Sequence, residues 1–192
     1  MAKNPKKIKK IRKNFQKTLD KWSRVVYNVD ILSHTIVSSG KKDKKRRVRI
    51  MLFLGTYEHQ LDDKNRLRIP SKFRKGLQGE LGDKPYYFFR GKNGCIGVMS
   101  EDEVNKTFTP LAKEGLSETS KIKRMILGSI SPAEEDAQGR VVLPVGLRMM
   151  AGIKKDVITL GVGNYIEIWA ADRYAEYISD IDFDTELENL GI

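Results

Sequence analysis

From Met51 onward the apolar residues alternate with polar ones in short runs, and the breaks fall at regular places. The stretch "MLFLGTYEHQL" is interrupted by Asp63, Lys64 and Asn65, and apolar positions resume at Leu67 and Ile69. A period of two on each side of three turn-prone residues predicts two strands joined as a hairpin. Pro70 then opens "SKFRKGLQG", a short helix stopped by Gly79, because proline suits a first helical turn and glycine a helix end. Two more strands, "YYFFR" and "CIGVM", are joined by a turn at Lys92-Asn93-Gly94. "SEDEVNKTF" begins a helix with a capping box of Ser100 and Glu103, and "SETSKIKRMILG" reads as another helix ended by Gly128.

The same grammar returns. "LDDKNRLRIP" at 61–70 is matched 74 residues later by "EDAQGRVVLP" at 135–144, followed by a short helix, "VGLRMMAGI", stopped by Gly152. The strands "VITLG" and "YIEIW" come next, turning at Val162-Gly163-Asn164, and then a helix, "AADRYAEYISDI". Asn65 and Gly139 occupy the last loop position, where a left-handed backbone is wanted; glycine adopts it freely and asparagine better than most. Asp62 then faces Arg66, and Asp136 faces Arg140, as cross-strand ion pairs worth roughly 0.2–1 kcal/mol each. Both aspartates are read as structural. Each copy is small and leaves strand edges open, so the two are expected to interlock into one barrel-like domain, α+β but mainly β, with flanking helices.

Charge alters this picture only at one end. The chain of 192 residues carries +11 overall, but residues 1–50 hold 17 Lys/Arg against 3 Asp/Glu, and the other 142 residues hold 19 against 22. The basic excess belongs to a leader. Its first part spaces Ile8, Ile11, Phe15, Leu19, Trp22 and Val26 as a basic amphipathic helix would. A second reading is that Lys45-Arg46-Arg47-Val48 back-translates to a purine-rich ribosome-binding sequence, making 1–50 translated leader RNA ahead of a start at Met51; a mature N-terminus upstream of Met51 would contradict it. No apolar run is long enough to span a membrane. A single cysteine, Cys95, with only His34 and His59, suggests no disulfide, metal site, cofactor or nucleophilic catalytic set, and no enzyme. The chain is expected in the cytoplasm.

The two segments "MLFLGTYEHQLDDKNRLRIPSKFR" and "AEEDAQGRVVLPVGLRMMAGIKKDVITLGVGNYIEIW" closely resemble the MraZ family, whose halves are SpoVT/AbrB-type domains marked by Asp-x-x-x-Arg. The resemblance runs from about Met51 to about Tyr177. It implies two pseudo-symmetric repeats in one AbrB-like barrel, and a nucleoid-associated DNA-binding regulator assembled as a ring-shaped homo-oligomer. Such a regulator acts on short direct repeats in double-stranded DNA near its own promoter, within the division and cell-wall gene cluster. Asn65 stands in place of the usual glycine, and Gly146 where a helix former is commoner. The divisions expected are leader 1–50, repeat 55–102, helical connector 103–130, repeat 131–174 and acidic tail 175–192.

Charge chooses between the copies. Residues 55–95 carry nine basic and five acidic side chains, whereas residues 131–192 carry five and twelve. Only the first suits a polyanion. Its candidates for DNA contact are Lys64 at the loop tip, Arg66 and Arg68 on the strand, and Lys72 and Arg74 on the helix, with arginine suited to reading guanine and lysine to holding phosphate. The second copy, with outward Val142, is expected to support or assemble. The alternative function is an antitoxin-like AbrB-fold module whose acidic C-terminal segment binds a basic partner protein.

Overall fold

Alternation becomes register in a computed structural model that describes residues 52–79, 81–113 and 120–191. The basic leader 1–50 lies outside the described residues. The first copy supplies β1 (Phe53–Gln60), β2 (Arg66–Arg68), α1 (Ser71–Gln78), β3 (Tyr86–Arg90) and β4 (Ile96–Ser100). Helices α2 (Glu101–Lys113) and α3 (Ser120–Leu127) connect it to β5 (Ser131–Pro132), β6 (Arg140–Val142), α4 (Val145–Ala151), β7 (Asp156–Gly163) and β8 (Ile166–Ala170). Helices α5 (Ala171–Tyr177) and α6 (Phe183–Asn189) follow.

Six strands form one antiparallel sheet in the order β1-β7-β8-β4-β3-β5, and β2 pairs with β6 in a separate two-stranded ribbon. The main sheet ends at β1 and β5, so the hydrogen bonding among described residues gives an open sheet and a ribbon rather than a closed barrel.

The hairpins are only partly as predicted. Asp62 N–H donates to Arg66 O and Asn65 N–H to Asp62 O, so the loop closes locally. Beyond that single pair the strands part company. β1 runs antiparallel along β7, from Phe53 opposite Gly163 to Gln60 opposite Asp156. β2 instead meets β6, with Arg66 opposite Val142, Leu67 opposite Val141 and Arg68 opposite Arg140. The exchange puts Leu67 and Val141 face to face, both fully buried, where a three-residue strand folded back within its own copy would lack a second apolar layer. Period two is the same in either arrangement, so sequence cannot separate them.

The core repeats with the sequence. Leu67, Ile69, Phe73 and Leu77 are buried, and so are Val141, Leu143, Leu147 and Ala151 at the matching positions of the second copy. Each larger aliphatic side chain among them contributes about 1.5–3 kcal/mol by leaving water. Phe53 and Tyr57 of β1 meet Phe73 edge-on, with ring centroids 5.9 and 5.1 Å apart. This ties the long edge strand to α1.

Two local expectations change. Ser100 Oγ accepts from Glu103 N–H at 3.4 Å, but the Glu103 carboxylate turns to Asn164 Nδ2 and Lys106 Nζ, so only half of the capping box forms. The helix predicted over 170–181 stops earlier, at Tyr177, and the acidic tail carries a further helix that the sequence reading did not predict, α6, which starts at an Asp182 cap whose carboxylate accepts from Thr185 N–H. No described helix is long and apolar enough to cross a membrane.

Candidate nucleic-acid interface

The two Asp-x-x-x-Arg loops are built alike, and the aspartate explains why. Asp62 Oδ1 accepts from the backbone N–H groups of Lys64 and Arg66, both at 2.9 Å, and Asp136 Oδ1 from those of Gln138 and Arg140 at 2.9 and 3.0 Å. A carboxylate that collects two main-chain donors fixes a three-residue loop. The last loop residue is left-handed in both copies, with φ 57° at Asn65 and 70° at Gly139.

The other carboxylate oxygen binds the arginine. Arg66 Nε donates to Asp62 Oδ2 at 2.8 Å, and Arg140 Nε to Asp136 Oδ2 at 2.8 Å. Because β2 and β6 are neighbours, the two pairs also meet: Arg66 Nη1 lies 3.1 Å from Asp136 Oδ2, and Arg140 Nη1 3.6 Å from Asp62 Oδ2. The expected independent pairs are one electroneutral quartet. The backbone N–H of Arg66, followed by its guanidinium and the Lys64 N–H, holds the Asp62 carboxyl below its ordinary value. The equivalent donors, Arg140 N–H first, lower Asp136 to about 2.

A second pair of arginines crosses between copies. Arg74 of α1 lies over the second loop, with Nη1 3.7 Å from Glu135 Oε2 and its guanidinium against Gly139. Glu135 also accepts from the buried Tyr86 hydroxyl at 2.7 Å, and burial followed by that bond pushes the phenol above its ordinary value. In the other direction, Arg148 of α4 donates to Asn65 Oδ1 at 2.8 Å. Arg148 was not among the sequence candidates, although its place, 74 residues after Arg74, was a signal for it. Each helix arginine braces the loop of the opposite copy.

The candidates for DNA contact therefore differ in setting. Lys64 is exposed at the first loop tip and Lys72 is exposed on α1. Arg68 is exposed on the ribbon, where Nη2 donates to Gln138 O at 2.9 Å. Arg66 and Arg74 are half-buried and engaged as described. The ribbon's outer face aligns Arg68 with Arg140, and Arg66 with an exposed Val142. One flank, on α1, offers Lys72 and Lys75; the other, on α4, offers exposed Val145 and Met149.

Substituting Gly139 by alanine tests the loop construction. A Cβ there would adopt an unfavourable positive φ and collide with the Arg74 guanidinium. Gly139→Ala is expected to lower stability by about 1–2 kcal/mol, read as a lower urea midpoint with an unchanged m-value.

Two strand-turn-strand-helix copies that exchange a ribbon strand and share an aspartate-arginine quartet define a class of two-copy β-ribbon protein. The chain belongs to the MraZ family, whose model, described as "MraZ protein, putative antitoxin-like", matches residues 52–128 and 125–189. It is similar to the transcriptional regulator MraZ of Alkaliphilus metalliredigens, 35% identical over 148 residues covering 73% of this chain and all of the relative. The transcriptional regulator MraZ of Symbiobacterium thermophilum is 37% identical over 142 residues, 72% of this chain and 99% of its own. That of Lactobacillus johnsonii is 41% identical over 128 residues, 66% and 86%.

Proposed function

We propose that the protein is a sequence-specific DNA-binding transcriptional regulator that presents the β2–β6 ribbon to a major groove. The observation that carries this is the outer face of that ribbon: three arginines, 66, 68 and 140, project from two short strands, with Lys64 at the adjoining loop tip and Lys72 on the flanking helix. A two-stranded ribbon fits the width of a B-DNA major groove, and guanidinium groups match the acceptor edge of guanine. The quartet holds Arg66 and Arg140 at fixed angles. Pre-positioned donors lose less entropy on binding. Arg68, Lys64 and Lys72 supply phosphate contacts or base contacts beside them. The relatives named as transcriptional regulators support the same role, which is non-enzymatic.

Strand order supports reading the chain as two pseudo-symmetric AbrB-like repeats in one barrel-like unit. Exchanging β1 for β5, β3 for β7 and β4 for β8 turns the order β1-β7-β8-β4-β3-β5 into its own reverse. On that reading residues 55–102 and 131–174 are the repeats, and 103–130 connect them. Residues 175–192 are the acidic tail.

The regulator acts as a ring-shaped homo-oligomer in the cytoplasm, associated with the nucleoid. It binds short direct repeats near its own promoter and controls the division and cell-wall gene cluster. One ribbon offers too few contacts for tight specific binding, and several ribbons on tandem repeats raise the effective concentration. Footprinting on the DNA upstream of the gene is expected to protect repeated elements. Titration should give far weaker binding to a fragment with one element than to one with two at native spacing. Equal affinities would sink the multivalent reading. An antitoxin-like role is favoured by one observation, the acidic amphipathic α6; co-purification of a small basic protein through residues 179–192 would establish it.

A further inference from the structure

The symmetry between the two copies is kept inside the ribbon and broken on its surface. Asp62 and Asp136, Arg66 and Arg140, and Arg74 and Arg148 repeat at the interval of 74. The exposed positions do not. Lys64 is matched by Gln138, Lys72 by Gly146, Lys75 by Met149 and Arg68 by Val142. Each exchange removes a positive charge, and the last falls on the ribbon itself.

Leu67 and Val141 are buried, so strand alternation puts Arg66, Arg68, Arg140 and Val142 together on the opposite, outer face. Arg66 and Arg140 are drawn into the quartet, their side chains 21% and 28% exposed. The two residues that stand out from this face are Arg68 and Val142, the latter 54% exposed. Val142 lies directly opposite Arg66 in the register and two residues along β6 from Arg140. A lone exposed valine is ordinary on a protein surface. This one shares a face with the arginines that the reading above sets against base edges, so a groove that admits them admits it too. What it can meet there is limited by base chemistry. The major-groove edges of the base pairs carry hydrogen-bonding groups throughout, and their one apolar group is the C5 methyl of thymine.

We propose that Val142 determines sequence specificity by packing on a thymine methyl, beside the base pair that Arg66 faces. The inference rests on the major-groove reading of the ribbon and names what its second-copy end recognises. One end of the ribbon then presents a guanidinium, at Arg68, and the other an isopropyl group. The two ends ask for different base pairs, and the DNA element they read has a direction.

Replacing thymine by deoxyuridine keeps every hydrogen-bonding group and deletes only the methyl, which makes it the test. The probe is the two-element duplex taken from the DNA upstream of the gene, with one thymine position at a time replaced in both elements. It is titrated with full-length wild type, Val142→Ala and Arg68→Ala, each checked by circular dichroism and sedimentation. Wild type is expected to lose about fifteenfold in affinity at one thymine position, from about fourfold for each methyl compounded over both elements. Val142→Ala should bind the unmodified duplex about tenfold more weakly or worse, be indifferent to replacement at that position, and keep the wild-type slope of log affinity against log salt. Arg68→Ala should weaken binding and keep the thymine preference. If no thymine position is sensitive in the wild type, or if Val142→Ala retains the sensitivity, the role of Val142 is overturned. The ribbon reading then stands when Arg68→Ala weakens binding and falls when it does not. Dissociation of the Val142→Ala oligomer makes the residue a subunit contact and also overturns the proposal. A wild type that does not bind the upstream DNA overturns both.

Discussion

Replacing Lys64 and Arg68 together by alanine is expected to weaken operator binding by about a hundredfold or more and to flatten the dependence of log affinity on log salt by about two. Both side chains are exposed, one at the loop tip and one on the ribbon. Neither is needed for the quartet that shapes the loops, and the fold should be retained. Replacing Arg68 by lysine separates the two uses of its charge. A phosphate contact tolerates lysine, whereas a bidentate base contact loses sequence discrimination and keeps its salt-dependent part. Titration of operator and scrambled DNA across a salt series reads both. If the alanine pair leaves affinity and slope untouched in correctly assembled protein, the DNA face lies elsewhere.

Arg66→Ala should act on the fold as well as on DNA. Its guanidinium serves Asp62 within its own copy and Asp136 across the ribbon, so removing it leaves two carboxylates sharing Arg140. We expect a fall in Tm of roughly 3–8 °C, with a comparable fall for Arg140→Ala and almost none for Lys75→Ala on the exposed face of α1. The same quartet sets the acid limb. A carboxyl whose folded pKa is depressed stabilises the fold fully above its unfolded value and loses that contribution as pH falls through the folded value. For Asp136 this window runs from 3.8 down to about 2. Asp136→Asn is expected to be less stable than wild type at pH 7, with the difference shrinking as pH drops through that window. Urea titrations from pH 7 to pH 2 measure this; a gap that stays constant throughout would remove the quartet from the acid response.

The reading that each loop carries its own ion pair separates the duties of Arg66 and Arg140, one for DNA and one for assembly. In the folded chain the two guanidiniums occupy a common network, so the difference between copies lies in what surrounds it. On the first side are Lys64, Lys72 and Lys75; on the second are Gln138, Val145 and Met149. Arg74 illustrates the limit of counting charge. Its spacing on a basic helix makes it a phosphate candidate, yet its guanidinium is set over Glu135 and Gly139. Among the sequence candidates, exposure favours Lys64, Arg68 and Lys72 as the contacts that a phosphate backbone would meet first.

What the sequence by itself determined is local. The left-handed turn at Asn65 and Gly139, the aspartate facing its arginine, the helix after each proline, the glycine stops and the buried positions repeated at an interval of 74 all follow from interactions within a few residues, or from a period that one face of a strand or helix imposes. What only the tertiary structure decided is the choice among equivalent partners. β2 alternates identically whether it pairs with β1 or β6, and both copies offer the same period, register and hydrogen-bonding groups; hydrophobic pattern cannot rank them. The exchange prevails because it brings Leu67 onto Val141 and joins two apolar faces into one core. That long-range contact then makes a quartet of two ion pairs and sends Arg74 and Arg148 across to each other's loops.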